Sequence, residues 1–119
     1  MKHSAEFERL VDEAKSRVRE VSVAETLERI KEDAHLIDVR EDSEFEKGHA
    51  ENAVHLGRGI IERDIVERFP EKNAELILYC GGGFRSALAA DNLQKMGYTN
   101  VFSMAGGWKA WKENGAPTS

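Results

Sequence analysis

One stretch, ELILYCGGGFRSALAA at residues 75–90, restricts the fold more than any other part of the chain. Leu76, Ile77, Leu78 and Tyr79 make a nearly continuous apolar run, the pattern of a strand covered on both faces of a parallel sheet. That strand delivers Cys80 into three consecutive glycines, and a helix follows at once, with Phe84, Ala87, Leu88, Leu93 and Met96 on one face and Gly97 positioned to end it. Strand, glycine turn and helix in this order predict an α/β unit with its chemistry at the strand's C-terminal end.

The flanking sequence repeats the alternation. HLIDVR (35–40), AVHL (53–56) and NVFSM (100–104) read as further strands, separated by helical stretches. Ser22 followed three residues later by Glu25 has the form of a capping box for a helix over about 23–31. DSEFEKG (42–48) predicts a helix of one to two turns, with Asp42 as N-cap and Gly48 as its stop. Residues 60–69 predict another, halted by Pro70. Phe7, Leu10, Val11, Ala14 and Val18 keep helical spacing and predict an amphipathic helix over 4–20, whose opposite face is charged. Trp108 and Trp111 anchor a last helix to the core after a close turn at Gly106 and Gly107, and the tail NGAPTS is expected to fray.

With 119 residues the chain is large enough for one core, and 40% hydrophobic with 33% charged residues is the composition of a globular protein. A net charge of −5 argues against a nucleic-acid or anionic-membrane partner, because both need clustered Lys and Arg. Cys80 is the only cysteine, so neither an internal disulfide nor a paired-thiolate metal site can form, and His3, His35, His49 and His55 lack metal-ligand spacing. A reducing, cytoplasmic location is expected, since no signal-peptide core and no apolar run of about 18 residues is present.

The glycine triplet defines the chemistry. Gly81, Gly82 and Gly83 can turn their N–H groups toward one point, and the helix starting near Phe84 adds unpaired amides and the positive end of its dipole. Such a site favours thiolate, the nucleophilic form, with Arg85 adding positive charge. Two other readings stand beside it: a small apolar cysteine that merely ends a strand, or a phosphate cradle, the latter without a Walker-type Lys or a GxGxxG fingerprint.

Four landmarks in order, LIDVRE (36–41), FEKGHAENAVHL (45–56), YCGGGFRSA (79–87) and AGGWKAW (105–111), resemble a single-domain rhodanese of the sulfurtransferase superfamily, over about residues 22–117. The resemblance implies a rhodanese-like three-layer α/β fold, with a central, mainly parallel five-stranded sheet flanked by helices and an extra N-terminal amphipathic helix. The implied organisation is an extension at 1–20, the rhodanese domain at 21–117 and a tail at 118–119.

The same resemblance implies site roles. Cys80 accepts a sulfane sulfur as a persulfide, and the loop Gly81, Gly82, Gly83, Phe84 and Arg85 binds substrate, its amides stabilising the charged sulfur. Arg40 is implied as a second substrate-binding residue, with Asp38, Ser86 and His49 in support. Arg58 is within reach of the pocket rim, a solvated arginine being the simpler reading. No cofactor is implied. Partners are small sulfur donors with thiol or cyanide acceptors, and a protein acceptor is allowed for. Cysteine phosphatases place an arginine six positions after the cysteine; here Ser86 stands there and Arg85 is one place early, which also counts against arsenate reductase. Gly81 and Gly82 are uncharged where several thiosulfate-specific members carry cations, so a persulfide donor or mercaptopyruvate stands beside thiosulfate. The alternative function is a persulfide relay or redox-sensing module that docks through its N-terminal helix.

Overall fold

In the computed structural model, which describes residues 3–119, the chain runs α1 (Ala5–Lys15), β1 (Arg19–Val21), α2 (Val23–Lys31), β2 (His35–Asp38), α3 (Asp42–Lys47), β3 (Val54–His55), α4 (Ile61–Arg68), β4 (Leu76–Tyr79), α5 (Phe84–Lys95), β5 (Val101–Met104) and α6 (Gly107–Glu113). The first two residues of the expected 1–20 extension lie outside the described residues. The strands form one sheet of order β1-β5-β4-β2-β3, and every pairing is parallel.

The two faces of β4 explain the layers. Leu76 and Leu78 point into a core shared with Ile61, Ile65, Ala89, Ala90 and Leu93, which belong to α4 and α5. Ile77 and Tyr79 point the other way, into a core with Val23, Phe102, Met104 and Trp111. A strand buried on both sides has no solvent face, hence its unbroken apolarity. The capping box at Ser22 and Glu25 is present in both directions, each bond 3.0 Å.

Three local expectations are corrected. The first helix stops at Lys15, where the Ser16 hydroxyl donates to the Glu13 carbonyl, and the chain then forms edge strand β1, with Arg19 opposite Phe102 and Val21 opposite Met104. Val18 kept helical spacing only because it too is buried, beneath the sheet rather than on the helix. The cap of α3 is Glu41, not Asp42; its N–H donates to the Glu44 carboxylate at 3.0 Å. The tail does not fray: His49 and Ser119 exchange both backbone hydrogen bonds, at 3.1 and 2.8 Å, and Ala50 bridges Thr118. No helix among the described residues is long and apolar enough to cross a membrane.

Candidate active site

Strand order reverses between β4 and β2, the place where open α/β sheets bind ligands beyond their carboxyl ends. Cys80 follows β4 at that edge. Its Sγ accepts the Gly83 N–H at 3.1 Å and lies 3.6 Å from the Ser86 hydroxyl, which in turn hydrogen-bonds the buried Ser103 hydroxyl at 2.8 Å. Gly83 takes φ +103°, a conformation that a side chain strongly disfavours, and caps α5 without a side-chain acceptor. The first amides of α5 are thus left for an anion at the sulfur.

Helix α6 is the floor of this loop. The Trp108 N–H donates to the Cys80 carbonyl at 2.7 Å and the Lys109 N–H to the Gly81 carbonyl at 3.3 Å. So close an approach requires Gly107, where a Cβ would collide with the Cys80 carbonyl.

Cys80 is 1% exposed, yet it opens onto a cavity of about 300 Å³ lined by His3, Phe7, Cys80, Gly82, Phe84 and Arg85. Arg85 enters this cavity already paired: its two terminal nitrogens donate to the two carboxylate oxygens of Glu44 at 2.8 and 3.2 Å. Those hydrogen bonds hold the Glu44 carboxyl at about 2, from an ordinary 4.5, against the opposing effect of partial burial. They also raise the Arg85 guanidinium above its ordinary range, and burial opposes this as well.

Arg40 is buried rather than set in the cavity wall. It is 3% exposed, forks onto Asp38 at 2.8–3.1 Å, donates to the Gly48 carbonyl at 2.7 Å and stacks 4.8 Å from the Trp108 ring centroid. It does not line the cavity. Asp38 accepts in addition the Arg40 N–H and, at 2.6 Å, the Tyr79 hydroxyl, which itself accepts the Ala50 N–H. Burial, then donation to Asp38, pushes the Tyr79 hydroxyl above the usual phenol range. The Arg40 guanidinium thus ties β2 to the end of α3 and to α6, with its charge balanced by a buried carboxylate.

Among the other expected residues, His49 uses Nδ1 against the Phe45 carbonyl at 3.0 Å and stacks on the Phe45 ring, supporting the turn after α3. Arg58 lies away from the cavity lining and pairs with Glu62 at 3.3 Å. Sequence reasoning missed Glu44, Ser103, His3 and Phe7. Phe7 carried a signal, the apolar stripe of the first helix, but nothing local to that stripe specifies what it covers. A wider depression of about 500 Å³, lined by Glu25, Glu28, Glu32, Glu75, Ala24 and Arg29, holds no nucleophile, and Arg29 there pairs with Glu75 at 2.6 Å.

Residues 22–114 match the Rhodanese-like domain family. The chain is 33% identical over 95 residues to the thiosulfate sulfurtransferase GlpE of Pseudoalteromonas translucida, covering 79% of this chain and 89% of that protein. It is 35% identical over 104 residues to the putative sulfurtransferase YtwF of Bacillus subtilis, covering 84% and 96%. Among solved structures, the polysulfide-sulfur transferase homodimer of Wolinella succinogenes superposes with a TM-score of 0.83 at 27% identity, covering 97% of this chain and 88% of that one. A Rhodopseudomonas palustris protein described as of unknown function and a possible tyrosine phosphatase superposes at 0.84 with 29% identity over 100% and 99% of the two chains. With the cysteine loop, its strand and its helix all inside the matched span, the chain belongs to the rhodanese-like domain family.

Proposed function

We propose that this protein is a sulfurtransferase that moves a sulfane sulfur from a donor through a persulfide on Cys80 to cyanide or a thiol. The observation that carries the reading is the placement of Cys80 Sγ under the Gly83 N–H, at the mouth of a helix without a side-chain cap and open to a cavity. In the first half-reaction the Cys80 thiolate attacks the sulfane sulfur of thiosulfate. The Sγ–S bond forms, the donor S–S bond breaks, and sulfite leaves with that electron pair. In the second, the acceptor attacks the outer sulfur, the Sγ–S bond breaks, and its electron pair returns to Sγ. Electrons balance over the cycle, so no external oxidant or reductant takes part. The cycle begins from reduced Cys80, in keeping with the cytoplasmic location expected from the sequence.

In this reading residues 21–117 carry the transfer chemistry. The relay alternative docks a partner on the N-terminal helix, whose apolar face is occupied: Val11 and Ala14 are buried, and Arg17 forks onto Asp91 of α5 at 3.0 and 2.8 Å. A relay partner would meet only the outer face, where Leu10 is the one large apolar residue of α1 more than half exposed.

The test is the intact mass of reduced protein after incubation with thiosulfate, then with cyanide. A gain of one sulfur, absent in Cys80→Ser and lost on cyanide addition with release of thiocyanate, is the expected result. A Cys80 that stays accessible to alkylation yet loads no sulfur from any donor would overturn the proposal. Hydrolysis of an aryl phosphate in its place would favour the phosphatase reading.

A further inference from the structure

Three rings from two distant parts of the chain meet over the cysteine loop. His3 lies edge-on to Phe84 at 4.7 Å between centroids, Phe7 is perpendicular to Phe84 at 6.1 Å, and His3 is 4.9 Å from Phe7. All three line the cavity onto which Cys80 opens. The segment that brings His3 and Phe7 there is anchored: Ser4 caps α1 through the Phe7 N–H at 3.1 Å, Val11 and Ala14 are buried, and Arg17 holds Asp91 and, through its carbonyl, Gln94 of α5. Phe7 and His3 remain half-buried, so they are not spent on the core.

The charges around the cavity point the same way. Among the described residues Arg85 is the only arginine or lysine in the lining, and both of its terminal nitrogens are engaged by Glu44, with Glu41 also close enough to act on the guanidinium. Lys15 reaches the Phe84 ring, with Nζ 5.2 Å from the centroid, but pairs with Glu20 at 3.8 Å. Gly81 and Gly82 add no charge, and an added Cβ at position 81 would lie 3.3 Å from the Arg85 guanidinium. Beyond the loop amides a compact dianion gains little from these walls, because the lining arginine is already paired with Glu44 and aromatic faces offer no donors. A donor whose sulfane sulfur is attached to an apolar group can lay that group against the rings while its sulfur reaches Sγ.

We propose that His3 and Phe7 are donor-selecting residues, and that the Cys80 pocket takes a sulfane sulfur carried on an apolar, ring-sized organic group in preference to thiosulfate. The inference rests on the sulfurtransferase reading and adds the substrate class. The chemistry is the same transfer. Cys80 thiolate attacks the terminal sulfur of an organic thiosulfonate or persulfide, the donor S–S bond breaks, and the organic sulfinate or thiolate departs with the electron pair while the Cys80 persulfide remains.

Benzenethiosulfonate is the probe, because it differs from thiosulfate by a phenyl group in place of one charged oxygen. Steady-state rates with cyanide as acceptor are measured for both donors on the full chain, and each is divided by the donor's rate with a free small-molecule thiolate. The parent protein is expected to show the higher normalised kcat/KM with benzenethiosulfonate. Phe7→Ala is expected to lower that value about fivefold, chiefly through KM, and the thiosulfate value less than about twofold, with Phe7→Leu between. His3→Lys, which places a cation in the wall, is expected to raise the thiosulfate value and lower the other.

The ratio of the two donors is independent of the folded fraction, so partial unfolding of a variant does not imitate the effect. An unchanged ratio in both Phe7→Ala and His3→Lys, whether or not overall rates fall, overturns the donor-selecting role and leaves sulfur transfer standing. A parent protein that loads neither donor onto Cys80 removes the sulfurtransferase reading itself, and this one with it.

Discussion

Arg85 of the cysteine loop and Glu44 of α3 form a forked ion pair, two hydrogen bonds of 2.8 and 3.2 Å between residues 41 positions apart. The only arginine of the loop therefore reaches the pocket with its charge balanced. Glu44→Gln removes that balance and is expected to raise kcat/KM for thiosulfate about threefold, as a freed guanidinium meets the dianion. Donor kinetics at fixed ionic strength check this. A fall would mean that Glu44 is needed to hold Arg85 in place.

The same pair makes stability depend on acid. The folded-state value for Glu44 is about 2 against an ordinary 4.5, so between these limits the unfolded chain binds the proton and the folded chain does not. Its contribution is complete above about 4.5 and is lost as pH falls through about 2. Urea midpoints across this window should drop less steeply in Glu44→Gln than in the parent, and equal slopes would show that the pair contributes nothing to folding.

Gly107 sits at φ +53° with the Cys80 carbonyl where its Cβ would be. Gly107→Ala must push α6 away from the loop, breaking the Trp108 N–H bond to Cys80. A loss of about 3 kcal/mol in denaturant unfolding is expected, from backbone strain and overpacking together, with slower sulfur loading of the protein that still folds.

Ser86 and Ser103 are both buried and share one 2.8 Å bond. Ser86→Ala strands the Ser103 hydroxyl at a cost of about 1–2 kcal/mol, and the double alanine variant should lose less than the two single losses combined. Because only Ser86 lies near Sγ, at 3.6 Å, the loading rate should fall in Ser86→Ala more than in Ser103→Ala. Additive stability losses would show that the two hydroxyls are not coupled.

Asp38 accepts hydrogen bonds from the Arg40 backbone, the Arg40 side chain and the Tyr79 hydroxyl, all away from solvent. Asp38→Asn leaves a buried guanidinium without its counter-charge, with an expected cost of about 3–5 kcal/mol. Tyr79→Phe, which removes one donor and keeps the ion pair, should cost about 1–2 kcal/mol. Equal losses would mean that the charge on Asp38 does not matter to the fold.

The cysteine loop was legible in the sequence because everything that makes it lies within about fifteen consecutive residues: a doubly buried strand, three glycines and a helix start. Arg40 was legible as a motif residue but not as an inward-facing one, since its direction depends on Asp38, Gly48 and Trp108 arriving together. β1 was hidden because three residues on a sheet edge have no period of their own, and only the ladder to β5 defines them.

The alternation of strands and helices, the parallel arrangement of the sheet and the place of Cys80 at a strand's carboxyl end follow from the sequence alone, because apolar periodicity and glycine conformations act over a few neighbouring residues. Tertiary structure alone decided what surrounds that sulfur. Glu44, Ser103 and the His3–Phe7 pair reach the loop from three separate segments, and no local window contains their hydrogen bonds and ring contacts with it. Those contacts exist only once the sheet register and the docking of α1, α3 and α6 bring distant side chains within a few ångströms.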